Sequence, residues 1–268
     1  LFPLPPCPTS LKVGLKAFEL GSLFRQAPWL VNQHIDGQML PVVRYLRGLG
    51  VYNMERVVRA YPRVLCASVE KDLAPRVDFL YTEVGVSEDD LPRMLETFPL
   101  LLALSMGRMK ASLRFMTWEL NINSWDAAKI VRQVVGGMVR LAFPSLLGLE
   151  VERHMRCVVT YLEQLGVQNV GRFVSRLPPV LGYDVETNLR PKMDYLVASM
   201  GLSVYDILTF PAYFSYPLET VTEPRTCFLN LRRRPITLVG LNTALQSGDD
   251  DFARKVAKVR PELYRDFK

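Results

Sequence analysis

Six prolines recur along this chain at nearly one period: Pro28, Pro62, Pro99, Pro144, Pro178 and Pro211, separated by 34, 37, 45, 34 and 33 residues. Three residues after each stands an apolar residue: Val31, Leu65, Leu102, Leu147, Leu181 and Phe214. A self-similar period of this length predicts a solenoid, in which each unit buries its apolar face only by stacking on the next. The register holds at finer scale. A second proline follows four of the anchors (Pro41, Pro75, Pro191, Pro224), with Ser112 and Cys157 in the other two units. An aromatic–aliphatic pair recurs in all six: Tyr45-Leu46, Phe79-Leu80, Phe115-Met116, Tyr161-Leu162, Tyr195-Leu196 and Phe228-Leu229. Five of these pairs run into a short stop centred on Gly50, Gly85, Asn121, Gly166 or Gly201.

Residues 53–86 show what one unit should be. Met54, Val57, Val58 and Tyr61 share a helical stripe, so 53–61 reads as an amphipathic helix. Pro62 disfavours helical geometry at Tyr61 and ends it. A turn through Val64 and Leu65 comes next. Pro75 fits the first turn of a second helix, where its missing N–H costs nothing, with Leu73, Val77 and Leu80 as that helix's stripe. Gly85 closes it. All of these residues are expected to build the fold.

This pattern resembles the repeat of the mitochondrial transcription termination factor family (mTERF): a proline, a leucine three residues on, Leu-x-Pro, an aromatic–leucine pair and Leu-Gly-Val. The copies at 61–80 and 189–196 are the cleanest, and Glu223-Pro224-Arg225 leading to Asp250-Asp251-Phe252 is similar to the family's usual close. The third and fourth units lack Leu-x-Pro, and the Pro99–Pro144 unit is about ten residues longer than its neighbours. The resemblance implies an all-α, left-handed superhelical solenoid of helix-turn-helix repeats of about 34 residues. It also implies an organellar protein, in the mitochondrial matrix or the plastid stroma, that binds nucleic acid and regulates gene expression. On this reading residues 1–19 are a proline-rich lead-in, 20–231 the repeat array and 232–268 a basic C-terminal cap. The chain begins at Leu1, and we expect a processed form lacking a transit peptide.

Composition narrows the function further. Of 268 residues 49% are apolar, enough for a sizeable core. Lys and Arg total 33 against 27 acidic residues, a net charge of +6 that suits a polyanionic partner. The scattered Cys7, Cys66, Cys157 and Cys227 offer neither zinc-ligand spacing nor a disulfide framework. The longest apolar run, 98–106, is too short to span a bilayer. His34 and His154 are far apart, and no phosphate-cradling glycine loop or hydrolase motif occurs. Asp249-Asp250-Asp251 reads as a solvated turn and helix start. No catalysis, cofactor, metal or membrane partner is expected, and the chain is expected to be a monomer.

Candidate binding residues emerge once the cations are placed in register. Arg56, Arg93 and Arg172 stand six residues before an anchor proline, and Arg25 and Arg59 three before it. One helical turn apart, these positions share a face. Arg76, Lys192 and Arg225 stand fourteen after the proline, near the expected start of the second helix, where free backbone N–H groups would add to their charge. Arg232, Arg233 and Arg234 form a phosphate clamp or, alternatively, a solvated cap on the array's end. Such a ladder fits a phosphate backbone, and double-stranded DNA is the favoured partner. RNA in splicing or ribosome assembly, or a protein-binding scaffold, are the alternatives. Family members that unwind DNA stack extruded bases on aromatics. Tyr183, Tyr213 and Tyr216 lie off the core register and are candidates for that role.

Overall fold

A computed structural model describes residues 35–132 and 143–268, together with Arg25, Ala27, Pro28 and Leu30. The lead-in at 1–19, Cys7, Val31 and His34 lie outside the described residues. Within them the chain is helical with no strand. It forms two compact units, 1–150 and 151–268, a division that the proline spacing does not mark. No described helix is long and apolar enough to cross a membrane.

In the second, fifth and sixth repeats the expected turn between two helices is itself a 3-10 helix, and the second helix opens with a π turn. In the second repeat the segments are an α-helix Met54–Ala60, a 3-10 helix Pro62–Cys66, and a π turn Val69–Leu73 running directly into an α-helix Ala74–Thr82. The fifth repeats this with Val170–Arg176, Pro178–Gly182, Val185–Leu189 and Arg190–Ala198. The sixth does so with Val204–Thr209, Pro211–Ser215, Leu218–Thr222 and Glu223–Leu231.

The anchor proline acts through the residue before it. Tyr61, Phe98, Leu177 and Phe210 hold nearly the same non-helical geometry, at (φ, ψ) of (−140°, 78°), (−133°, 73°), (−138°, 71°) and (−132°, 73°). The proline ring excludes the α region there and turns the chain into the 3-10 helix. That helix delivers the apolar residue three positions on into the core: Leu65, Leu102, Leu147, Leu181 and Phe214 are all buried.

The second proline sits differently from expectation. The second helix begins a turn earlier, capped by Ser68, whose side chain accepts the Lys71 N–H, or by Asp184, which accepts the Thr187 N–H. Pro75 and Pro191 are therefore internal. An internal proline removes an i→i−4 bond and crowds a carbonyl. The π turn ahead of it absorbs this with i→i−5 bonds, as from Leu73 N to Ser68 O and Leu189 N to Asp184 O.

The stop is a left-handed residue. Gly50, Gly85, Gly166 and Gly201 have φ between 66° and 87°, and Asn121 has φ 51°. Each turn lets the next N–H reach back into the helix, as from Val51 to Leu46 O and Val167 to Leu162 O. A side-chain cap then opens the next helix: Asn53, Ser87, Asn123, Asn169 and Ser203 fill that place. The aliphatic member of every aromatic pair is buried, whereas Tyr45 and Tyr195 remain partly exposed.

Candidate nucleic-acid interface

The cations expected to contact phosphate fall into two groups with different surroundings. The first is the trio fourteen residues after the anchor. Because the second helix starts a turn early, these side chains lie within it and not beside its free N–H groups. Arg76, whose side chain is 18% exposed, donates from Nε to Leu104 O at 2.9 Å and from Nη1 to Asp72 O. Lys192, 8% exposed, donates to Phe214 O at 2.5 Å. Arg225, 3% exposed, donates to the carbonyls of Ala244, Leu245 and Ser247 at 3.0, 3.1 and 2.7 Å, and to Asp249 Oδ1 at 2.8 Å. In each case an acceptor carbonyl lies beyond the donor's own repeat, so these cations pin one repeat to its successor in the chain. The expected phosphate contact by Lys192 and Arg225 is thereby corrected: burial keeps both from an outside ligand, and Arg76 is largely committed in the same way.

Burial also sets the chemistry of Lys192. Desolvation lowers its ammonium to about 8, against roughly 10.4 for a lysine in an unfolded chain. Between these values the unfolded chain holds more protons than the folded one, so this lysine makes stability rise with pH across that window. The wild type should gain stability relative to Lys192→Met between about pH 7.5 and about pH 9.5, read by urea unfolding at both. An unchanged difference would mean that the amine is not desolvated.

The second group faces solvent. Arg56 and Arg172 are presented in the same way in two repeats. Each stands three residues after an asparagine cap that accepts its backbone N–H, at 3.1 Å from Asn53 and 2.8 Å from Asn169, and each is exposed. Neither has a carboxylate partner among the described residues. Arg59 is exposed but pairs with Glu55 at 3.1 Å. Arg93 is exposed at a groove of about 750 Å³ that it shares with Glu88, Asp89 and Glu96, so acidic neighbours offset its charge. Glu96 is itself engaged, accepting the N–H groups of Tyr52 and Asn53 at 2.9 and 2.8 Å. Arg25 is exposed as well.

Arg232, Arg233 and Arg234 occupy the sixth stop, which the sequence did not betray. Arg233 has φ 54°, and Arg234 N–H reaches back to Leu229 O at 2.9 Å, the closure that follows Gly50 and Gly166. Arg232 and Arg233 are exposed and Arg234 half-buried. Three cations at a helix C-terminus are favoured by its dipole, and none has a carboxylate partner among the described residues.

Two further expectations are revised. Tyr213 is fully buried, its hydroxyl donating to Lys192 O at 2.6 Å, so it cannot stack a base. Tyr183 and Tyr216 are half-buried, the latter stacked on Phe210 with centroids 6.0 Å apart. The acidic run does start a helix, Asp249–Asp251, but its carboxylates are paired: Asp249 with Arg225 and Lys268, Asp250 with Arg265, Asp251 with Lys255. Among the described residues no cluster of His, Cys, Asp and Glu could hold a metal ion.

Helix pairs repeated in register, joined by a proline-led 3-10 turn and pinned to one another by buried cations, define an all-helical repeat protein. The mTERF family model matches residues 43–170 and 80–253, and the chain belongs to that family. It is 27% identical over 216 residues to the chloroplastic transcription termination factor MTERF8 of Arabidopsis thaliana, covering 79% of this chain and 40% of the relative. It is 26% identical over 185 residues to the mitochondrial transcription termination factor MTERF15 of the same plant, covering 68% and 38%. With the chloroplastic transcription termination factor MTERF2 it shares 30% identity over 131 residues, 48% and 20% of the two chains. The chain spans less than half the length of these relatives.

Proposed function

We propose that this chain is a non-catalytic, nucleic-acid-binding regulator of organellar gene expression, acting in the mitochondrial matrix or plastid stroma. It binds double-stranded DNA through exposed arginines and terminates transcription by standing in the path of the polymerase. The observation that carries this reading is the twice-built presentation of Arg56 and Arg172, each on a capped first helix without a carboxylate partner among the described residues. The open arginines Arg232 and Arg233 extend the set, with Arg234 beside them. Arg25, Arg59 and Arg93 are secondary contacts. Arginine suits this work because its planar fork binds phosphate and guanine bidentately. The names of the plant relatives support the placement in organellar transcription.

The test is fluorescence anisotropy of the chain against duplex DNA and matched RNA over a salt titration. Tighter duplex binding with affinity falling steeply as salt rises is the expected result. A preference for RNA would move the function to splicing or ribosome assembly, and absence of binding to both would sink the nucleic-acid reading.

A further inference from the structure

We infer that the turn between the third and fourth repeats, carrying Trp118 and Trp125, is a stacking platform for the unpaired bases of a single-stranded nucleic acid. The inference rests on the nucleic-acid reading above and adds to its duplex contacts a separate place for a single strand. Trp118 lies in the π turn Phe115–Glu119 and Trp125 is the second residue of the helix Ser124–Arg132. The core between these segments is filled by Phe115, Met116, Leu120, Ile122 and Ile130, all buried. The two indoles are turned outward, 77% and 66% exposed.

Repeat packing does not call for them. Two residues after the buried aliphatic anchor, where Trp118 stands, other repeats have Gly48, Thr82, Gln164, Ala198 and Leu231, none of them aromatic. Two residues after the helix cap, where Trp125 stands, others have Glu55, Asp89, Gly171 and Tyr205, the last an exposed aromatic as well. The pair belongs to the one unit whose length departs from the shared period, and no other described turn carries aromatics at both places. Large aromatics left in water are a liability unless something covers them.

The neighbours indicate what the cover is. Arg114 lies with Cζ 5.5 Å from the Trp118 ring centroid, and Lys129 with Nζ 5.4 Å from that of Trp125. Both cations are exposed, and neither has a carboxylate partner among the described residues. Asp126, the nearby acid on the second helix, is held by Asn123 Nδ2 at 2.7 Å. An aromatic face with a cation beside it, built twice across one turn, matches a strand that offers one π-face and one phosphate per nucleotide. Glu119, Asn121, Asn123 and Ser124, all exposed, lie between the two tryptophans in the chain, so the stretch that joins the rings is polar, which suits a nucleic acid better than an apolar protein surface. A duplex keeps its bases stacked inside, so the occupant is a single strand.

The test titrates the whole chain, in a Trp29→Phe background so that only these two indoles report, with a fluorescein-labelled single-stranded oligo(U) and a matched duplex. Intrinsic fluorescence and anisotropy are read together, with circular dichroism to check each fold. Quenching that saturates with the anisotropy is expected. Trp118→Ala with Trp125→Ala should weaken single-strand binding roughly tenfold or more per ring, the paired phenylalanine variants should keep most of it, and duplex affinity should not move. Single-strand binding without quenching, unaffected by the alanines, would overturn the platform while leaving the nucleic-acid reading intact. A dimer in sedimentation that the alanines abolish would place a second copy there instead and also overturn it. Binding of neither oligonucleotide would end both readings.

Discussion

Replacing Arg225 with methionine is expected to destabilise the unit 151–268 by about 3–5 kcal/mol, the range for breaking a buried, bonded charge by removing one partner. The guanidinium serves four acceptors, three of them backbone carbonyls between Ala244 and Ser247, and lies 4.8 Å from the Phe252 ring centroid. Methionine fills part of the space but leaves those carbonyls without their donor. It also removes one of the two cations on Asp249. Desolvation works to raise that carboxyl, and the hydrogen bonds from Arg225 and Lys268 outweigh it, holding it below its ordinary value. Damage should begin locally. Hydrogen exchange should speed up first in Leu241–Leu245 and Phe252–Ala257, whose packing surrounds the guanidinium, before it does so in Val170–Arg176. Arg225→Lys, copying the single bond that Lys192 makes one repeat earlier, should fall between wild type and methionine. Stability equal to wild type in the methionine variant would show that the cation is incidental to closing the array.

How much could be read from the chain depends on how local each effect is. The proline anchors, the apolar residue three positions on and the glycine stops all act through sterics within four or five residues, so sequence alone places them. The start of the second helix was also local, since Ser68 and Asp184 are ordinary caps six residues after an anchor, but Pro75 and Pro191 drew the boundary to themselves. The π turn that tolerates an internal proline has no sequence signature. The trio Arg76, Lys192 and Arg225 was legible as a register and opaque as a role. Its acceptors are backbone carbonyls beyond its own repeat, and a carbonyl has no letter in the sequence. Arg233 was hidden for a related reason: a left-handed stop is recognised by glycine or asparagine, and here a β-carbon occupies it. The outward turn of Trp118 and Trp125 depends on which residues fill the core around them, so it too waited for the structure.

Converting Arg232, Arg233 and Arg234 together to alanine is expected to flatten the salt dependence of duplex binding by about two to three units of the log–log slope. Each phosphate neutralised by a cation releases counterions worth about 0.9 of that slope. Charge and folding must be separated here, because the same three residues close a helix. Arg233→Gly does this. A side chain held in the left-handed region costs roughly 1–2 kcal/mol, so glycine should stabilise the unit slightly while removing one positive charge, and binding should weaken as the fold strengthens. The buried cations give the opposite control. Lys192→Met removes a charge that no outside phosphate can reach, so it should change stability and leave the salt slope where it was. Arg56→Ala with Arg172→Ala should lower the slope by about two units without moving the unfolding midpoint, since both side chains are exposed and their caps use only backbone N–H. If the slope tracked lost stability across these variants instead of lost exposed charge, the arginines would be acting on the fold and the phosphate contacts would have to be sought elsewhere.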